Sequence, residues 1–299
     1  MNIYSQISAN KWRTWLIIFL FVLFITTISY VFEKALGYGL PFVGIAFILA
    51  GITSFGSYYF SADLVLATVG AKQIEEKDNP QLFHVIENLC IGDGLKMPRI
   101  YIMDDMSPNA FATGRDPNHA VVCVTRGLLE KMNKAELEGV IAHELSHVKN
   151  FDTRLMGIVA ILVGFVAILA NLFMQSLWYG GRRDDREGGG NLQAVFMVIG
   201  IVFAILSPIA ATLIQLAISR KREYLADASG ALLTRYPEGL ASALEKIAKD
   251  PKPTMGASNA TAHLFIANPF KGKEAGAWFA SLFDTHPPIE ERIKILRSM

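Results

Sequence analysis

Four long apolar blocks punctuate an otherwise mixed chain, running from Trp15 to Phe32, Leu40 to Phe60, Leu155 to Tyr179 and Leu192 to Ser219. The first two contain no charge. Each is long enough to cross about 30 Å of hydrocarbon as a helix, which takes roughly 20 residues. Pro208 lies inside the fourth block and predicts a kink there, because proline deletes one helix hydrogen bond. The first block is longer than the apolar core of a cleaved signal, and no small-residue cleavage site follows it, so a retained anchor is expected.

Lys and Arg near the block ends set the expected orientation. Lys11 and Arg13 precede the first block, and Lys72 and Lys77 follow the second. Lys149 and Arg154 precede the third, and Arg220, Lys221 and Arg222 follow the fourth. The glycine-rich connector 180–191, with its arginines and acids, runs mildly against this rule. Both termini are expected inside. The chain then divides into two spans (1–60), a cytoplasmic segment (61–154), two further spans (155–219) and a second cytoplasmic segment (220–299).

The cytoplasmic segments are patterned as globular protein. Pro80 to Ile91 has helix periodicity, whereas Arg99–Met103 and Ala120–Val124 are short, β-rich and apolar, as strands are. Helical patterning returns from Asn133, where Asn133 and Glu136 have the spacing of a capping box. The last segment reads as mostly helical, broken by a polar stretch from Asp250 to Asn259. The class expected is therefore an α+β membrane protein with four transmembrane helices and a small β-sheet.

Composition narrows the function. A hydrophobic content of 52% with 18% charged residues departs from the soluble average of about 25% charged. A net charge of +1 excludes a strongly basic nucleic-acid binder, and no DNA-binding motif or internal repeat is present. Cys90 and Cys123 are too few for a disulfide framework, lack metal spacing and read as buried apolar-like residues in a reducing compartment.

Candidate chemistry concentrates in V-I-A-H-E-L-S-H-V-K-N, residues 140–150. On one helix His143 and His147 stand within roughly 40° of each other, so both imidazoles can reach one ion. Glu144 points aside, where a carboxylate can take a proton from water that the ion polarises. Two chance histidines on a surface helix would give the same five residues, although the flanks Ile141, Ala142, Leu145, Ser146 and Val148 are uncharged. Glu223 lies just beyond the fourth block, with Asp227 four residues on. Two His and one Glu are an attested zinc set, and Asp227 could accept from a ligand His N–H. Glu223 could equally pair with Arg220 or Arg222, and spacing alone does not separate the two.

H-E-L-S-H-V-K-N-F-D (143–152), R-K-R-E-Y-L-A-D (220–227) and N-A-F-A-T-G (109–114) resemble motifs of the HtpX family of heat-shock membrane metalloproteases, relatives of the CaaX prenyl endopeptidases. A-H-L-F-I-A-N-P-F (262–270) and T-H-P-P-I-E-E-R-I (285–293) are similar to later blocks of that family. The resemblance covers nearly the whole chain. It implies one zinc ion on His143, His147 and Glu223, with Glu144 as general base, in a mainly helical zincin-like (gluzincin) domain on the cytoplasmic face of a bacterial inner membrane. It also implies a strand at Asn109 that pairs with substrate, the Asn109 amide touching it, against a plain turn role. His286 becomes a candidate oxyanion donor or a mere helix-capping residue. Lys149 departs from the apolar residue of wider zinc-protease patterns, and its stem can snorkel. His84, His119 and His263 lack a partner at helical spacing, so structural use is expected of each.

The expected partners are the bilayer and misfolded, damaged or unfolded polypeptides. Homo-oligomerisation stays open and nucleic acid is not expected. Two rival readings remain. Maturation of lipidated C-termini belongs to relatives with more spans. A zinc-stabilised scaffold would need Cys or His at the fourth position, and no cysteine lies near either motif.

Overall fold

A computed structural model of the protein describes residues 3–36, 40–165, 220–258, 260–270 and 287–299. Two long helices, α1 (Ile3–Leu36) and α2 (Leu40–Val69), open the chain. Within them Ser8–Thr27 and Val43–Val69 are long and apolar enough to cross a membrane. Trp12, Trp15, Phe19, Ile48, Ile52 and Phe55 are all more than half exposed. An apolar surface of this extent is unfavourable in water and suits lipid.

The second helix runs past Phe60, where the apolar block was expected to end, and stops at Val69. Val65, Leu66 and Val69 are buried against Met103, Phe111, Cys123 and Phe265, so protein contacts take over from lipid along these last turns. Asp63, on the outer side, pairs with Arg99 at 3.0 Å. Of the third apolar block, residues 152–165 (α6) are helical and pack Leu155, Ile158, Val159 and Leu162 against Ile17, Phe21 and Ala50. The remainder of that block, the connector 180–191 and the fourth block with Pro208 lie outside the described residues.

A four-stranded sheet follows, built from β1 (Lys72–Gln73), β2 (Arg99–Met103), β3 (Ala110–Thr113) and β4 (Val121–Thr125) in the order β1-β2-β4-β3. β2 and β4 are parallel and the outer pairs antiparallel. β3 forms one edge. Phe111 registers with Cys123, and Asn109 C=O accepts from Thr125 N–H. By alternation, the backbone groups of Ala110 and Ala112 point away from the sheet. Ala110 C=O accepts from Ile266 N–H at 3.0 Å.

Helices α3 (Pro80–Asp93), α4 (Arg126–Lys131), α5 (Lys134–Lys149), α7 (Arg220–Thr234), α8 (Pro237–Lys249) and α9 (Ile289–Leu296) complete the described fold. The largest core joins α3, α5 and α8 to the sheet through Leu82, Ile86, Val122, Ile141 and Leu244. Cys90 and Cys123 are buried free thiols. Lys149 pairs with Asp93 at the end of α3.

The central α5 owes its register to two local devices. Asn133 Oδ1 accepts from Glu136 N–H at 3.0 Å, and Glu136 Oε2 accepts from Asn133 N–H at 2.8 Å, closing the capping box. Ser242 and Lys246 of α8 also bond Glu136, at 2.7 and 2.6 Å. Gly139 lets α8 approach closely, since a Cβ there would stand 2.6 Å from Leu240 N.

Two outcomes are expected. Gly139→Ala forces backbone apart and lowers stability by about 1–3 kcal/mol. Gly92→Ala, which meets only the end of the Leu233 side chain at 3.4 Å, is neutral or mildly stabilising. Thermal unfolding of the detergent-solubilised chain separates the two. Burial raises the Glu136 pKa, but Lys246, the Asn133 N–H and Ser242 together outweigh it and leave the carboxyl below its ordinary 4.5. Its stabilisation is therefore complete above that value and fades as pH falls through the lower folded value. Between about pH 6 and pH 3 the parent should lose its stability advantage over Glu136→Gln.

Candidate metal centre

His143 and His147 lie one turn apart on α5, with their Nε2 atoms 3.2 Å from each other. Helix α7 crosses close by because Gly230 faces the α5 backbone, where a Cβ would stand 3.0 Å from His143 N. This crossing brings Glu223 over the pair. Its Oε1 is 3.5 Å from His147 Nε2 and its Oε2 is 3.7 Å from His143 Nε2. The three donor atoms lie within 4.8 Å of one another, and all three residues are buried. Among the described residues they form the group that could hold a metal ion.

Carboxylates behind the imidazoles set their tautomers. His143 Nδ1 is 2.9 Å from Asp227 Oδ1, and His147 Nδ1 is 3.0 Å from Asp152 Oδ2. With Nδ1–H donating outward, the Nε2 of each neutral imidazole would turn its lone pair to the centre. Two imidazole Nε2 atoms and a carboxylate converging at 3.2 to 3.7 Å call for a proton or a metal cation among them.

A further tier steadies these carboxylates. Arg292 of α9, wholly buried, grips Asp227 with two bonds, Nε to Oδ2 at 2.8 Å and Nη2 to Oδ1 at 2.7 Å. Its Nη1 donates to Ile266 C=O at 3.2 Å and stands 3.7 Å from Glu223 Oε2. Asp152 Oδ1 accepts from Asn10 Nδ2 at 2.7 Å and lies 3.4 Å from Arg222 Nη1.

The charge balance fits a dication. Among the described residues, Glu144, Glu223, Asp152 and Asp227 are buried beside Arg222 and Arg292, so acidic side chains outnumber guanidiniums four to two. Proton affinities respond to the surplus. Burial opposes charging His147, yet Glu223 and Asp152 push its pKa up to about 9. Burial raises Glu144 to about 7, with His147 pulling down and Glu223 pushing up. Burial keeps His143 below its ordinary value against the pull of Asp227. Asp227 ends low because Arg292 and His143 outweigh its burial.

The Ala112 N–H lowers the Glu144 pKa, so the carboxyl lies near the outward side of β3. Asn109, at the head of that strand, is spent inside the fold. Its Nδ2 donates to Thr254 Oγ1 at 3.1 Å and Ala267 C=O at 3.2 Å, and its Oδ1 accepts from Ala110 N–H at 3.1 Å. His286 lies outside the described residues. His119 pairs with Asp116 and His263 Nε2 with Met156 C=O, away from the cluster.

Three residues escaped the sequence reading. Asp152 closes the motif quoted around His147, but it falls beyond the helix end. Arg292 sits in the last block, where His286 drew attention. Asn10 offers no signal beyond a polar residue ahead of an apolar run. Arg292→Ala should destabilise the chain by about 3–5 kcal/mol, because it leaves Asp227 buried without its cation. Arg297→Ala breaks exposed pairs with Glu238 and Glu245 and should cost under about 1 kcal/mol. Thermal denaturation of the two variants checks the contrast.

Residues 76–299 match the model of Peptidase family M48. The chain is 44% identical over 296 residues to "Protease HtpX homolog" of Dictyoglomus thermophilum, covering 99% of this chain and 94% of that one. The protein of the same name from Tropheryma whipplei is 47% identical, covering 99% and 98%. That from Thermoanaerobacter pseudethanolicus is 43% identical over 301 residues, covering 100% and 98%. The crystal structure of S. mikatae Ste24p aligns at 17% identity with a TM-score of 0.49, over 95% of this chain and 66% of that one. The chain belongs to peptidase family M48 and is a metalloprotease.

Proposed function

We propose that the chain is an integral-membrane zinc endopeptidase in which His143, His147 and Glu223 hold the ion and Glu144 is the general base. The observation that carries this reading is the convergence of the three donor atoms within 4.8 Å, in a setting where four buried carboxylates share two buried guanidiniums among the described residues. Two imidazoles and one carboxylate are a donor set that zinc accepts while keeping a position open. When bound, zinc supplies Lewis acidity toward water and the scissile carbonyl. Glu144 does the proton work. Buried beside the ligands, it can take a proton from water and return it to the leaving amine. Asp227 and Asp152 hold the imidazoles in the ligating tautomer throughout.

The outward side of β3 offers a place for an extended substrate. Ala112 N–H lies on that side and could add a substrate strand to the sheet. Asn109 then acts by fixing β3 through Thr254 and Ala267. Two apolar helices beside the domain support substrates presented at a membrane, and misfolded or damaged membrane proteins suit that placement. We assign the domain and both termini to the cytoplasmic side on the Lys and Arg distribution. No observation favours processing of lipidated C-termini or a scaffold role.

The test uses the full chain in detergent with zinc. Glu144→Gln should retain the metal and lose at least about 100-fold in cleavage of an unfolded polypeptide. Cleavage at the parent rate would remove the general-base assignment. Glu223→Ala should lose its zinc on dialysis, and full occupancy would remove Glu223 from the ligand set.

A further inference from the structure

The strongest unassigned feature is a polar residue inside the first membrane helix. Asn10 lies at the start of the candidate span Ser8–Thr27 and is only 1% exposed. Its amide is fully used, and each bond goes to a distant part of the chain. Nδ2 donates to Asp152 Oδ1 at 2.7 Å and to Asn150 C=O at 3.0 Å. Its Oδ1 accepts from Arg222 Nη1 at 3.2 Å. Asp152 in turn holds His147 Nδ1 at 3.0 Å. The chain of contacts therefore runs from helix α1 through one carboxylate to one imidazole of the cluster.

We propose that Asn10 is a positioning residue for the metal site, and that the first membrane helix thereby forms part of the structure that aligns His147. This inference rests on the assignment of His147 as a ligand. Asp152 has two oxygens to satisfy inside the protein. Oδ2 is aimed at His147, and this aim depends on Oδ1 being fixed elsewhere. Asn10 supplies the short bond there, while Arg222 at 3.4 Å supplies charge with poorer geometry. The second amide hydrogen caps the Asn150 carbonyl at the end of α5, one turn beyond His147. Asn10 thus fixes both the carboxylate and the helix end that must meet at one imidazole. Groups that orient a ligand from outside typically change metal affinity by about 10- to 100-fold when removed.

The test measures zinc affinity of the full-length chain in detergent or nanodiscs, by competition with a chromophoric chelator, beside thermal unfolding of the metal-free protein. Asn10→Ala and Asn10→Leu should each bind zinc about ten-fold more weakly than the parent. The leucine variant keeps the buried volume filled, so recovery of parent affinity in it alone would reduce Asn10 to packing and overturn the proposal. Thr14→Ala, one turn further along, removes a hydroxyl that bonds only its own helix at 2.9 Å and should leave affinity within about two-fold. His147→Ala separates the two levels of inference. If it loses zinc while both Asn10 variants bind as the parent does, the Asn10 role is wrong and the ligand set stands. If His147→Ala itself binds zinc as tightly as the parent, the ligand assignment fails first.

Discussion

Among the described residues, four buried carboxylates share two buried guanidiniums around His143 and His147, and this imbalance is the constraint on which the rest of the domain depends. A lone buried carboxylate costs several kcal/mol, so every acid around His143 and His147 must find a donor or a cation. Asp227 is satisfied by Arg292 and His143, and Asp152 by Asn10, Arg222 and His147. Glu223 and Glu144 face the centre, where a dication would complete the balance. Without one, the deficit appears as a His147 that holds its proton to about 9 and a Glu144 that titrates near 7. Metal dependence is thus written into the charge count as well as the ligand geometry.

That cluster sits close to the apolar helices. Trp15 of α1 stacks on Tyr58 of α2 with ring centroids 5.8 Å apart. Arg154 lies over Tyr58 and Arg115 over Tyr59, at 5.4 and 5.2 Å. Aromatic rings with cations beside them are the residues that sit at a membrane–water boundary. Asn10 precedes Trp15 by five positions, about 7.5 Å along a helix, and it touches the carboxylate behind His147. The candidate centre therefore lies within a few helical turns of the aromatic level.

What the sequence made legible was local. The capping box at Asn133 and Glu136, the one-turn spacing of His143 and His147, and the four-residue step from Glu223 to Asp227 all follow from one helical repeat, and each appears in the structure. Strands β2 and β4 were visible because short β-branched runs have no helical reading. Contacts that depend on tertiary approach left no such trace. Arg292 meets Asp227 across 65 residues and Asn10 meets Asp152 across 142. The extension of α2 to Val69 was hidden because apolar residues facing protein and apolar residues facing lipid look alike in sequence. Asn109 carried a family motif, yet its amide is committed to Thr254 and Ala267.

The break after α5 shows why the first helix and the metal cluster cannot be treated apart. If α5 continued without interruption, residue 152 would lie about 140° around the helix from His147, beyond hydrogen-bond reach. Instead Phe151 adopts a left-handed conformation, with φ of 60°, and the chain turns so that Asp152 comes back to His147 Nδ1. A non-glycine residue there costs about 1–2 kcal/mol. Neighbouring groups offset it. The Phe151 ring carries Lys11 of α1 at 4.5 Å and Arg154 at 4.8 Å, contacts worth about 0.5–1 kcal/mol each when exposed. Asn10 binds the Asn150 carbonyl just before the turn. Strain at the one residue that aims Asp152 is thus held in place by two consecutive side chains of the membrane helix, and an unstrained helix at this point would separate His147 from its acceptor.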